Sequence, residues 1–105
     1  MREGEYQTRL KKQIQKLLPG AFVLKNDSSW LQGVPDLTIL YKDKWATLEV
    51  KRSKYEEHQP NQDYYVSEMN AASFSSFIFP ENEKETLDEL QRALESGGKT
   101  RVSKS

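Results

Sequence analysis

The sequence predicts one small α/β domain with the element order αβββαβα. Three observations carry that expectation. Apolar residues recur at helical spacing in three segments. In four shorter segments they alternate with polar residues or run unbroken, as strands do. Proline, glycine and polar turns separate these segments, and 105 residues is the length of a single domain.

Tyr6, Leu10, Ile14, Leu17 and Leu18 stripe a helix over about residues 3–18, which Pro19-Gly20 stops. Ala21 to Leu24 is a short apolar strand. A polar, turn-rich stretch runs from Asn26 to Gly33, and Pro35 sets its boundary. Leu37, Ile39 and Tyr41 then alternate with Asp36, Thr38, Leu40 and Lys42. Trp45 to Lys51 reads as the partner strand across a turn at Asp43-Lys44. Residues 52–61 form a charged loop containing Pro60. Tyr65, Val66, Met69 and Ala72 stripe a second helix, and Phe74, Phe77, Ile78 and Phe79 mark a last strand. Asn82 followed by Glu85 resembles a capping box. It opens a helix striped by Leu87, Leu90 and Leu94 and ended by Gly97-Gly98. Residues 1–96 therefore form the domain, and 97–105 a disordered basic tail.

Composition narrows the chemistry. With no cysteine, disulfide scaffolds, thiolate zinc sites and cysteine nucleophiles are excluded. One histidine, His58, cannot make a His-pair metal site, and in a charged loop it reads as a surface residue rather than a proton shuttle. No apolar run approaches the ~18 residues of a membrane span, and Met1-Arg2-Glu3-Gly4-Glu5 lacks the apolar stretch of a signal peptide. Apolar residues are 35%, charged residues 30% and mean hydropathy is −0.87. The expectation is a soluble, cytoplasmic protein with no membrane partner, whose chemistry runs on carboxylates, lysines and hydroxyls. A formal net charge of zero hides an asymmetry. Residues 1–25 carry Arg2, Arg9, Lys11, Lys12, Lys16 and Lys25 against Glu3 and Glu5, whereas 81–96 is acidic. That pattern fits a nucleic-acid face or ordinary solvated helix faces.

Strand parity gives the sharpest reading. A turn at Asp43-Lys44 pairs Leu37 with Val50, Ile39 with Leu48 and Tyr41 with Ala46, which builds one apolar face. The other face carries Asp36, Thr38, Trp45, Thr47, Glu49 and Lys51, with Asp36 opposite Lys51 and diagonal to Glu49. Two carboxylates and an ammonium at a strand end suit phosphodiester hydrolysis with Mg²⁺, a cation that takes one or two carboxylates plus phosphate and water. The same residues could equally form a cross-strand salt bridge on a wet face. Trp30 and Trp45 fit core or edge packing, base stacking or a dimer interface.

Gly33-Val34-Pro35-Asp36-Leu37, followed after a hairpin by Leu48-Glu49-Val50-Lys51, resembles the PD-(D/E)XK nuclease superfamily. More narrowly, it is similar to a stand-alone VRR-Nuc (virus-type replication-repair nuclease) domain. Glu5-Tyr6-Gln7 in the first helix and Gln62 after Pro60 extend the likeness over about residues 3–80. The resemblance implies a restriction-endonuclease-like fold, an αβββαβ core with a mixed sheet flanked by helices, here with an extra C-terminal helix. It implies Asp36 and Glu49 as metal ligands with the Val50 carbonyl, Lys51 as catalytic lysine, and Gln62 beside Lys51. The spacing of Gln62 with Tyr65, Val66 and Met69 independently sets that amide on the inward helix face. For the helix-1 acid, helical geometry favours Glu3, which shares the face of Tyr6 and Leu10, whereas family spacing favours Glu5, and Glu5 is taken as the further metal ligand. The implied activity is a Mg²⁺-dependent or Mn²⁺-dependent endonuclease on branched DNA, such as Holliday junctions. It implies a homodimer and fits a phage-encoded protein acting in a host cytoplasm. Arg9, Lys12, Lys16, Lys25, Arg52 and Lys54, with Arg2 and Lys11, are candidate phosphate contacts. A catalytically silent DNA-binding or recombination module, and a nicking or restriction-like nuclease on linear duplex, remain alternatives. The loop Ser53-Lys54-Tyr55-Glu56-Glu57-His58 departs from the family's glycine-bearing loop.

Overall fold

Helix and strand fall where apolar periodicity puts them. The computed structural model describes residues 2–104, with side chains through Glu95. Its elements are α1 (Glu3–Leu17), β1 (Phe22–Lys25), β2 (Leu37–Tyr41), β3 (Lys44–Val50), α2 (Pro60–Ala72) and β4 (Phe74–Ile78). A 3-10 turn (Pro80–Asn82) then leads into α3 (Glu83–Lys104). The sheet order is β1-β2-β3-β4. Its first two pairings are antiparallel, and β3 with β4 is parallel, as a crossover through α2 requires. This mixed four-strand sheet with flanking helices is the small α/β domain expected.

One sheet face is dry. Leu37, Ile39, Ala46, Leu48, Val50 and Ile78 are buried there against Tyr6, Leu10 and Ile14 of α1 and Leu87, Leu90 and Leu94 of α3. Each such side chain contributes roughly 1.5–3 kcal/mol by leaving water. The opposite face takes α2, whose Met69 sulfur meets the Thr47 hydroxyl. No residue of α2 is fully buried, so its apolar stripe is only half covered. Beyond α2, Phe22, Leu24 and Leu40 stand exposed on β1 and β2.

Three expectations are corrected. The β2–β3 turn is Lys42-Asp43, not Asp43-Lys44. Leu37 pairs with Leu48, Ile39 with Ala46 and Tyr41 with Lys44, a shift of two residues from the expected pairing. An even shift preserves parity, so every side chain keeps its predicted face. Lys42 pivots the turn with φ +57°, a conformation that turn chemistry reserves mainly for Gly, Asn and Asp. At the other end, α3 continues through Gly97-Gly98 to Lys104 rather than stopping there. Glycine costs a helix about 1 kcal/mol against alanine without breaking it. The side chains of the basic tail lie outside the described residues. Asn82 does not box with Glu85. Its side chain accepts from the Phe79 N–H and donates to the Phe77 carbonyl, closing the 3-10 turn ahead of α3.

Candidate active site

The site forms where β2 begins and β3 ends. The loop before β2 is tied by Asn26, whose amide donates to the Pro35 carbonyl and the Thr38 hydroxyl, both at 2.8 Å. Its backbone N–H donates to the Asp36 carbonyl at 2.8 Å. Asp36 is thereby fixed one step ahead of β2, and the true register sets it opposite Glu49 rather than Lys51. Its Oδ2 accepts from the Val50 N–H at 2.8 Å. A strand residue turns its N–H and C=O to the same neighbour, so the Val50 carbonyl also opens on the Asp36 side.

Glu49 projects from the half-covered face and is 3% exposed. Its Oε2 accepts from Gln62 Nε2 at 3.0 Å, and its Oε1 has no partner. Burial, and then the Asp36 charge, push its carboxyl up to about 8. Burial also raises Asp36, against the lowering pull of the Val50 N–H, of a hydrogen bond with Glu49, and of the Lys51 and Lys25 charges. Both carboxyls are thus held above their ordinary values.

Lys51 is equally buried. Its Nζ donates to Gln62 Oε1 at 2.8 Å and to the Glu57 carbonyl at 3.0 Å. The carboxylates of Glu49 and Glu56 each lie 3.9 Å away. Gln62 Oε1 also accepts from the Gln59 N–H at 2.9 Å. With its oxygen so engaged, the amide turns its nitrogen to Glu49 and links anion to cation. Its place in the first turn of α2 makes this possible. Gly33, at φ +91°, allows the loop to lie against that turn, because a Cβ there would collide with the Asn61 Cβ.

At the start of α1 the structure places Glu3, not Glu5, beside this cluster. Burial, then the Asp36 and Glu56 charges, raise the Glu3 carboxyl, and Gln7 Nε2 donates to it at 3.1 Å. Glu5 instead accepts from the Arg2 N–H at 3.2 Å, its carboxylate 3.9 Å from the Arg2 guanidinium. The reason is periodicity: α1 begins at Glu3 without fraying, so the Tyr6–Leu10 face carries Glu3 inward.

The basic candidates do not form one face. Lys25 is close enough to act on Asp36, and it lines a cleft with Lys11, Gly4 and Thr8. Arg9 is held at 3.1 Å by Glu83, while Lys16 lies between α1 and α3 near Glu83 and Asp88. Lys12 is exposed on α1. Arg52 pairs with Glu56, and Lys54 sits over the Tyr55 ring. Trp30 is 90% exposed and Trp45 half-buried. His58 stacks on Phe77 with centroids 3.9 Å apart and meets Asp63 at 3.0 Å, so it anchors its loop. Two contributors were not anticipated, the Glu56 carboxylate and the Glu57 carbonyl. They lie in a loop with no periodicity to point them inward.

Among the described residues, no group of three or more His, Cys, Asp and Glu side chains is placed to hold a metal ion. A Mg²⁺-type cation does not require one, since it accepts one or two carboxylates with carbonyls and water. Asp36 and Glu49 fit that pattern, and the buried Glu49 Oε1 has no hydrogen-bond partner of its own.

No family model and no curated protein matches the chain. A solved structure described as a VRR_NUC domain does match, with a TM-score of 0.63 at 22% identity. The match covers 84% of this chain and 91% of the other. The fold is VRR_NUC-like. The likeness drawn from Pro35-Asp36 and Glu49-Val50-Lys51 therefore holds across most of the VRR_NUC-like domain at the level of fold. Among the described residues no helix is long and apolar enough to cross a membrane.

Proposed function

We propose that this chain is a divalent-metal-dependent endodeoxyribonuclease that cuts branched DNA, such as four-way junctions, as a homodimer in the cytoplasm. The observation that carries the reading is Glu49: buried, half unpartnered, crowded by Asp36 and linked through Gln62 to Lys51. A protein gains no stability from such an arrangement unless something positive completes it. The fold likeness to a VRR_NUC domain points the same way.

Asp36, Glu49 and the Val50 carbonyl would hold Mg²⁺ or Mn²⁺, with Glu3 nearby. Bound there, the cation would polarise a phosphoryl oxygen and lower the pKa of attacking water. The Lys51 ammonium stabilises negative charge growing on the phosphate. Gln62 holds that ammonium and fixes Glu49, while the Val50 N–H fixes Asp36. Lys25, Lys11 and Arg52 are the cations best placed for backbone phosphates, with Lys12 and Lys54 further out. A two-fold dimer supports two symmetric cuts in a junction, and the exposed Phe22, Leu24 and Leu40 suit a covered surface.

One observation favours a second reading, a catalytically silent DNA-binding module: the Lys51 ammonium is already held by Gln62 Oε1 and the Glu57 carbonyl. One assay separates the two. Labelled four-way junction and matched linear duplex are incubated with Mg²⁺, Mn²⁺ or EDTA, alongside Lys51→Ala, and oligomeric state is read by sedimentation. The nuclease reading expects metal-dependent cutting that Lys51→Ala loses, with paired cuts in the junction. Preference for duplex would make it a restriction-like or nicking enzyme. Binding without cutting would establish the silent module.

A further inference from the structure

The charged loop between β3 and α2 supplies two of the four oxygen groups within 4 Å of the Lys51 ammonium, the Glu57 carbonyl and the Glu56 carboxylate. Glu56 reaches further. Its Oε1 accepts from the Arg52 backbone N–H at 2.7 Å and lies 3.4 Å from the guanidinium Nε, while its Oε2 faces Lys51. One side chain thus holds two neighbouring cations, one buried and one with a 61% exposed side chain. The loop is fastened independently, by His58 stacked on Phe77 and by the Lys54 N–H donating to Glu81 at 3.2 Å.

Glu49 cannot be the only counter-charge for Lys51. Any cation bound at Glu49 shares that carboxylate and repels the ammonium 3.9 Å from it. Gln62 offers a dipole, and the Glu57 carbonyl another. Among the described residues, Glu56 is the second carboxylate, after Glu49, within 4 Å of the Lys51 ammonium. We propose that Glu56 is a positioning residue for Lys51. It holds the ammonium in place while Glu49 serves a bound cation, and with its other oxygen it orders Arg52. The kinetic consequence rests on the nuclease reading. The hold on Lys51 belongs to the protein alone and can be measured without substrate.

The test compares wild type, Glu56→Gln and Glu56→Ala. Side-chain ¹⁵N NMR of lysine-labelled, metal-free protein follows the Lys51 Nζ signal, assigned by its loss in Lys51→Arg. Slow proton exchange is expected in wild type, and exchange about tenfold faster or more in both variants, as loss of a buried ion-pair partner implies. In cleavage assays both variants lose about 10–100-fold in kcat, the scale of a misplaced reactive group. Their Kd for DNA stays equal or tightens, because a carboxylate beside the phosphate path has gone. Glu89→Gln, an exposed acid on α3, controls for the charge change. A merely structural role behaves otherwise: Glu56→Gln, which keeps an oxygen for the Arg52 N–H, would restore melting temperature and kcat together. That restoration overturns the proposal, as does unchanged Lys51 exchange. If wild type cuts nothing yet exchange accelerates in the variants, the nuclease reading fails and the hold on Lys51 stands. If wild type cuts and exchange is unaltered, the reverse is true.

Discussion

The two faces of the sheet treat burial in opposite ways. Toward α1 and α3, Leu37, Ile39, Ala46, Leu48 and Val50 are apolar and enclosed, with Tyr41 and Lys44 half-buried at the turn end of the same face. Toward α2 the pattern inverts. Thr47, Glu49 and Ser75, with Lys51 just past the strand end, are buried, while Phe22, Leu24 and Leu40 meet solvent. Only the first face lowers the free energy of folding in the ordinary way. The second encloses charge that folding alone does not reward and leaves an apolar strip bare.

Substitutions on the two faces should therefore separate stability from activity. The largest effect is expected from Glu49→Gln, which should cut DNA cleavage by about 10³-fold, a loss typical of removing transition-state charge stabilisation. Its melting temperature at pH 8 should match or exceed wild type, since a buried like-charge contact disappears. A fold lost in this variant would break the comparison. Leu48→Ala, one residue away on the dry face, should instead lower unfolding free energy by about 2–5 kcal/mol in urea titrations. A cost near zero would show that this face is not the source of stability.

The pH response sharpens the contrast. Glu49 is raised from its ordinary 4.5 to about 8. Between those values the native state therefore binds a proton that the unfolded chain has released, and stability must fall as pH rises. Metal-free wild type should lose melting temperature from pH 5 to 9, and Glu49→Gln should show a shallower slope. Mg²⁺ should restore most at the alkaline end; a flat wild-type profile would contradict the enclosed carboxyl pair. The smallest effects belong to the scattered basic residues. Lys25→Ala should weaken DNA binding several-fold and reduce its salt dependence by about one contact. Lys16→Ala, exposed near the α3 side of α1, should leave both unchanged.

Parity and helical stripes were legible because they repeat, and one missing residue does not erase a repeat. They placed each strand on its correct face and Gln62 inward. The register was not legible. Pairings two residues apart satisfy parity equally, and the deciding feature, a lysine pivoting the turn at φ +57°, runs against residue preference. Between Glu3 and Glu5, the physical periodicity pointed to the residue found beside Asp36, and spacing borrowed by resemblance pointed to the other. Glu56 carried no signal, because a loop has no period and its contacts depend on how His58 and Phe77 fasten it.

Gly33 turns the site's assembly into a matter of clearance. The loop carrying Asp36 and the helix turn carrying Gln62 touch at a point where hydrogen fits and a methyl group does not. Distance between the two arms of the site is thus set by an atom that takes no part in it. An alanine at Gly33 would leave Asp36, Glu49, Lys51 and Gln62 unaltered in identity while wedging them apart. This glycine is the spacer against which the working parts are gauged.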